Sequence, residues 1–399
     1  MKKVGLLCLL IPFLFSTLNI QAFLAIYFSP SVAQLFAYSN LILVIIGTLF
    51  YLRPGNPYPG LIRLWLLFFG CYYIIGGIAS AIHNTPSPFQ ASLIPFIYFC
   101  GFTMCLNDFN NQAIYIKTAT GAFFVATLAV IVFQAFNYSI DVSGVSDYRL
   151  ERAGGVYGDA NQSALVSLIT LLLVYNFFRP SNRTQRVFKF ITILVAGYAL
   201  FLTFSKTGFI VLLFVLTIIF YRRISLKKIL IVFGAMIILV AVGLNRVIES
   251  DRLTFVQKRR IDDIINLVTF NTDKVALSER DVLLKNMLNF VMENPIGGNG
   301  ISFSNMIRGH NTIIGVWADA GILTFIVFIT IIFMYYRKSF SLESSSARAF
   351  AFATVVVLTV FMLSLQSIIN QPYLITLFVF MAYYVTRKSN YEPDSQPTH

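Results

Sequence analysis

Unbroken apolar runs of about 20 residues recur along this chain, with short clusters of lysine and arginine between them. A helix needs about 20 apolar residues to cross the hydrocarbon core of a bilayer. Backbone groups in lipid must be satisfied internally, so only helices and closed barrels span it. Barrel strands alternate apolar and polar positions; these runs do not. Hydrophobic residues form 57% of the 399 residues and charged residues 12%, about half the charged share of a soluble domain. The expected fold is all-α, a polytopic integral membrane protein of about 12 transmembrane helices. The same arithmetic excludes a large soluble catalytic domain.

The runs predict spans at about 4–24, 32–51, 61–82, 89–106, 118–137, 162–178, 188–204, 207–221, 229–245, 312–335, 349–369 and 373–386. Residues Met1 to Ala22 also have the outline of a secretory signal peptide, but the run continues to Phe28, which favours an uncleaved first span. The net charge of +13 does not point to nucleic acid, because the basic residues lie in the short clusters that the positive-inside rule predicts. With the N-terminus in the cytoplasm, the inner segments hold 18 of the 30 Lys and Arg against four acids. Both termini are then cytoplasmic. The four cysteines fall inside apolar runs without zinc-ligand spacing and are expected to be packing residues.

Two outer segments break the charge pattern. The first, 138–161, carries Arg149 and Arg152; the second, 246–311, is the only long loop and holds nine basic residues. Long loops translocate largely regardless of charge, so the topology stands. The expected organisation is N-terminal transmembrane helices over 1–137, a core over 138–335 with outer loops 138–161 and 246–311, C-terminal transmembrane helices over 336–386, and a disordered cytoplasmic tail over 387–399.

Polar chemistry gathers on the outer side. In the long loop a helix is predicted at about 279–292, with Ser278 as N-cap, an apolar stripe of Val282, Leu283, Met287, Leu288 and Val291, and a stop at Asn294-Pro295. Arg280 in its first turn opposes the helix dipole. A bound anion would resolve that conflict; so would solvent, or a salt bridge to Glu279 or Asp281. Pro295-Ile296-Gly297-Gly298-Asn299-Gly300 either lets backbone N–H groups approach a phosphate or forms ordinary turns. Arg308-Gly309-His310-Asn311 precedes the next span, and an imidazole there suits proton transfer near neutral pH. Lys206, in the turn Ser205-Lys206-Thr207-Gly208, either snorkels or presents a point charge to a phosphate. Arg152 opens a polar, glycine-rich segment that runs through Asn161-Gln162 into a span. Asp319 lies inside a span, where a charge costs roughly 2.5–3.5 kcal/mol at mid-depth, and is expected to make a structural hydrogen bond. Glu249-Ser250-Asp251 lacks a third ligand and is not expected to bind metal.

Taken in order, four of these features resemble the O-antigen ligase and polymerase superfamily of bacterial envelope glycosyltransferases, over about residues 140–335. They are Arg152 to Gln162; Thr203 to Gly208; Ser278-Glu279-Arg280 leading to Asn294 through Gly300; and His310-Asn311 followed by Ala320-Gly321-Ile322-Leu323. The resemblance implies a GT-C-like fold and an inverting, metal-independent glycosyl transfer from an undecaprenyl-diphosphate-linked glycan, with no cofactor. It implies His310 as the catalytic base or acceptor-positioning residue. It implies Arg280, Lys206 and Arg152 as diphosphate-binding residues, with Arg308, Asn311, Asp319, Gly298 and Gly300 in support. The family usually has arginine at the place of Lys206; lysine keeps the charge and loses the bidentate fork. Polymerisation of lipid-linked repeat units is the expected reaction. Transfer of finished glycan to lipid A-core or another acceptor is the alternative, and transport is a third reading. The implied partners are the lipid-linked glycan, membrane lipid, a flippase and a chain-length regulator, and no nucleic acid.

Overall fold

The computed structural model describes residues 2–52, 57–85, 89–136, 138, 140, 152–220, 255–268, 279–366 and 368–386. Among these residues the protein is all-helical, without a strand. The N-terminal part comprises α1 (Lys2–Thr17), α2 (Ile20–Tyr27), α3 (Pro30–Leu49), α4 (Gly60–Ile82), α5 (Phe89–Leu106) and α6 (Phe109–Ala135). A 3-10 turn (Gly155–Tyr157) leads to α7 (Ala160–Phe177), α8 (Arg183–Leu202) and α9 (Lys206–Phe220). Then follow α10 (Phe255–Val268), α11 (Glu279–Glu293), the single turn α12 (Phe303–Met306), α13 (Thr312–Phe340), α14 (Ser345–Met362) and α15 (Pro372–Thr386).

Seven of these helices are long and apolar enough to cross a membrane, and the bent pair α1–α2 makes up to eight. Residues Ala91–Leu106, Lys206–Ile219 and Pro372–Thr386 form shorter apolar helices. Eleven of the expected spans therefore coincide with apolar helix, and the count of 12 itself is not established. The span at 229–245 lies outside the described residues, as do Ser278, the Glu249–Asp251 pair and the tail 387–399.

The first span differs from expectation. It is not one rod over 4–24 but two helices meeting at 59°. Asn19 takes the left-handed conformation at the joint (φ 50°) and donates from Nδ2 to Val156 O at 2.8 Å. A short polar side chain tolerates that conformation better than an apolar one, so an apolar run does not secure a continuous helix.

Helix starts follow local chemistry. Ser29, Asp108, Asp159, Asn182, Asn311 and Ser344 each accept a backbone N–H from the first turn of the following helix. Such caps contribute about 1 kcal/mol each. The apolar packing then sorts the helices by depth. In α7, 83% of the best apolar window is buried within the protein, against 22% in α3 and α8. The α7 helix is thus the axis, and α3 and α8 present residues such as Leu35, Ile42, Phe190 and Leu194 outward, as lipid-facing surface should. One apolar cluster runs from Leu6 to Val385 and draws on helices from both termini. Within it Trp65 of α4 donates to the Tyr335 hydroxyl of α13 at 3.0 Å.

Loops that follow odd-numbered expected spans meet one another at one end of the bundle. Thr85 donates to Asn299 O at 2.8 Å, Ala153 N–H to Leu202 O at 3.1 Å, and Thr312 N–H to Leu365 O at 3.0 Å. That end carries every candidate residue discussed below.

Candidate functional site

The longest helix among the described residues is broken where the site begins. At 29 residues, α13 would reach roughly 43 Å if straight. Ala320 (φ −135°) and Gly321 (φ 72°, ψ −179°) interrupt it. The break leaves carbonyls unsatisfied in a buried place, and the loop after α11 supplies the donors. Asn299 N–H bonds to Ala318 O at 2.8 Å and Gly300 N–H to Asp319 O at 3.0 Å; in return Ile322 N–H reaches Pro295 O at 3.0 Å. Glycine is required for this approach. A Cβ on Gly298 would lie 2.5 Å from Asp319 O, and one on Gly300 would lie 2.6 Å from Ser80 Oγ. Both residues also have positive φ. The N–H groups of Gly298, Asn299 and Gly300 are thus engaged with Asn294, Ala318 and Asp319, and this segment is a helix-break clamp rather than an open phosphate cradle.

Asp319 ties the clamp to α4. Its Oδ2 accepts from the Tyr72 hydroxyl at 2.8 Å and its Oδ1 from Ser304 N–H at 2.6 Å; Ser302 N–H donates to the same Tyr72 oxygen at 3.2 Å. The expected structural hydrogen bond of Asp319 is therefore a small buried network. Tyr72, which completes it, and Ser80, whose Oγ accepts from Ile301 N–H at 2.9 Å, carried no mark in the sequence beyond lying in an apolar run.

Two of the expected diphosphate residues are brought together. Arg152 Nε donates to Thr203 O at 3.0 Å, at the C-terminus of α8, where a cation complements the dipole. Its Nη2 lies 3.5 Å from Asn161 Oδ1, which also accepts from Ser205 Oγ at 2.7 Å. Lys206 begins α9, where a cation is unfavourable. Asp263 of α10 offsets it: Nζ and Oδ2 are 2.6 Å apart, with the side chains 19% and 8% exposed. Ile261 and Ile265 of α10 pack with Phe201 and Phe204. Lys206 therefore neither snorkels nor stands open; it holds the long-loop helix. Asp263 was legible only as one of two adjacent acids, and only the packing shows that Asp262 faces outward and Asp263 inward.

His310 sits in a strained connection. Arg308 and His310 are both left-handed, with φ 52° and 48°, a conformation costing of order 1–3 kcal/mol for such residues. Neighbouring contacts impose it. Asn311 caps α13 through Ile314 N–H at 3.0 Å, and Thr312 Oγ1 donates to Leu365 O at 2.6 Å. His310 N–H points to Gln366 Oε1 at 3.3 Å. Arg308 is exposed. Arg280 falls in the first turn of α11, as expected. That helix buries Leu284, Met287 and Val291 against Ala318, Ile314 and Trp317. Val282 and Leu288 of the expected stripe are exposed, because the loop packs onto α13 by one narrow edge.

Residues 190–329 match the family model described as O-antigen ligase. That match spans about a third of the chain and supports its resemblance to the O-antigen ligase and polymerase superfamily. No curated protein matches the chain. The matched O-antigen ligase segment contains Lys206, Asp263, Arg280, Gly298, Gly300, Arg308, His310, Asn311 and Asp319; Arg152 and Gln366 fall outside it. With the apolar helices, the match supports a membrane protein with glycosyltransferase-like activity of the O-antigen ligase or polymerase type. Gln366 ties the matched segment to the helices after it, since its Oε1 accepts from His310 N–H at 3.3 Å.

Proposed function

We propose that this protein polymerises undecaprenyl-diphosphate-linked repeat units into O-antigen or capsule-type polysaccharide. The reaction belongs to the outer face of the cytoplasmic membrane, with both termini inside. A flippase would supply the donor and a chain-length regulator would work beside it. In the transfer, the anomeric C–O bond to the diphosphate breaks and its electron pair leaves with undecaprenyl diphosphate. The acceptor hydroxyl attacks from the opposite face, giving inversion, and its proton passes to His310. Fixed cations stabilise the departing diphosphate without a metal. Arg280 and Lys206 fill that role, Lys206 by exchanging Asp263 for the phosphate, with Arg152 holding the turn from behind.

The observation that carries the transfer chemistry of this reading is His310. It is a histidine held in a strained backbone conformation just before the broken helix starts, at the bundle end that also bears Arg152 and Lys206. Backbone strain of this kind concentrates at functional sites. The test uses the full chain in liposomes with labelled lipid-linked repeat units. His310→Ala should lower turnover by about 100- to 10,000-fold, the usual worth of a general base, with donor binding unchanged. His310→Gln should fail likewise; near wild-type turnover would mean that His310 only positions the sugar.

The description of the matched family favours a second reading, transfer of finished glycan to lipid A-core. The same residues serve it, since only the acceptor differs. A ladder of products from repeat units alone supports the polymerase; a single product formed only when lipid A-core is added supports the ligase.

A further inference from the structure

Gln366 lies between α14 and α15, 56 positions after His310 and outside the matched family segment. Its Oε1 faces His310 N–H at 3.3 Å. That contact fixes the carboxamide, because a main-chain N–H needs an acceptor and only the oxygen provides one. The NH2 end therefore points elsewhere. Nε2 is buried and has no hydrogen-bond partner among the described residues. Burying an amide donor unpaired is costly, and native proteins leave few such groups. An apolar side chain would avoid the cost.

The segment around it is firmly held. Leu365 O accepts from both Thr312 N–H and Thr312 Oγ1, Leu365 N–H bonds to Phe361 O at 2.7 Å, and Leu365, Ile368 and Ile369 are buried. The distance from Gln366 to His310 is thus set by packing on both sides. A neutral carboxamide with a free donor matches a neutral hydroxyl better than a diphosphate, which calls for charge.

We propose that Gln366 is a positioning and sugar-binding residue of the transfer reaction. Its oxygen holds the His310 main chain in the left-handed conformation, and its NH2 group donates to a hydroxyl of the acceptor sugar beside the imidazole. The proposal rests on the reading of His310 as the base.

The two halves of the carboxamide can be separated. In Gln366→Glu the oxygen toward His310 remains and the donor is lost. In Gln366→Met a side chain of similar length loses both. Each is assayed as the full chain in liposomes with lipid-linked repeat units, beside His310→Ala. Gln366→Glu should raise KM for the acceptor by about three- to tenfold, the worth of one hydrogen bond, with kcat nearly kept. Gln366→Met should raise KM alike and also lower kcat at least about tenfold. In a His310→Ala background it should lower kcat no further. A merely structural role would lower the folded amount in both variants and leave KM of the folded fraction unmoved, which would overturn the proposal. Wild-type kinetics in both variants, with His310→Ala inactive, would overturn it while sparing the base. An active His310→Ala would instead remove the base reading on which it rests.

Discussion

If the diphosphate binds Lys206, the carboxylate of Asp263 occupies its place in the free protein and must be a competitor. Asp263→Asn tests this with little change of shape. At 2.6 Å the gross attraction of the pair is about 6 kcal/mol at an effective dielectric of 20. Most of that is cancelled by the water both groups forgo on burial. A hydrogen bond to a charged group retains a net worth of about 1.5–3 kcal/mol, against about 1 kcal/mol for a neutral one. Replacing carboxylate by carboxamide therefore weakens the hold on Lys206 by about 0.5–2 kcal/mol. A donor that must displace residue 263 gains that difference, about two- to thirtyfold in affinity. The assay is KM for the lipid-linked donor in liposomes, with kcat and thermal unfolding recorded in parallel. Ile261 and Ile265 still anchor α10 on Phe201 and Phe204, so the helix should stay docked while unfolding shifts to lower temperature. A donor KM that is unchanged or raised, in folded protein, would refute the exchange and make the Lys206–Asp263 pair purely structural.

Other outcomes follow from the same geometry. Gly321→Ala should destabilise the protein by at least about 1–3 kcal/mol, the strain of a positive φ, because its methyl group would also run into Ile296 O; thermal unfolding in detergent measures this. Tyr72→Phe removes one donor to the buried Asp319 carboxyl and should cost about 1–3 kcal/mol, read by the same melt, with donor KM unchanged. Cysteines introduced at the exposed Ile296 should react with an impermeant reagent in intact spheroplasts, and those at Ser181 and Ser341 should not; reaction at Ser181 would invert the orientation. EDTA should leave the purified enzyme's rate unaltered, and loss of activity would return attention to Glu249 and Asp251.

Residue order alone determined the all-helical class, because apolar runs of membrane-spanning length admit few other structures. Helix starts were equally local: Asp159 and Asn311 cap by bonding amides two or three residues away. The superfamily resemblance was also readable, from short motifs kept in order. Contacts between distant segments were not. Asn19 breaks the first span because Val156 awaits its side chain 137 positions away. The glycines at 298 and 300 fit a phosphate loop or ordinary turns alike, and only the packing of α13 showed that its own broken carbonyls consume the amides of Asn299 and Gly300. Asp262 and Asp263 are interchangeable as letters; the docking of α10 decides which one meets Lys206. Gln366 had no distinguishing neighbourhood in the chain and acquires one only when α14 and α15 bring it against His310. Periodicity, length and caps depend on neighbours in sequence and can be read from it, whereas the partner of a polar side chain is chosen by tertiary packing.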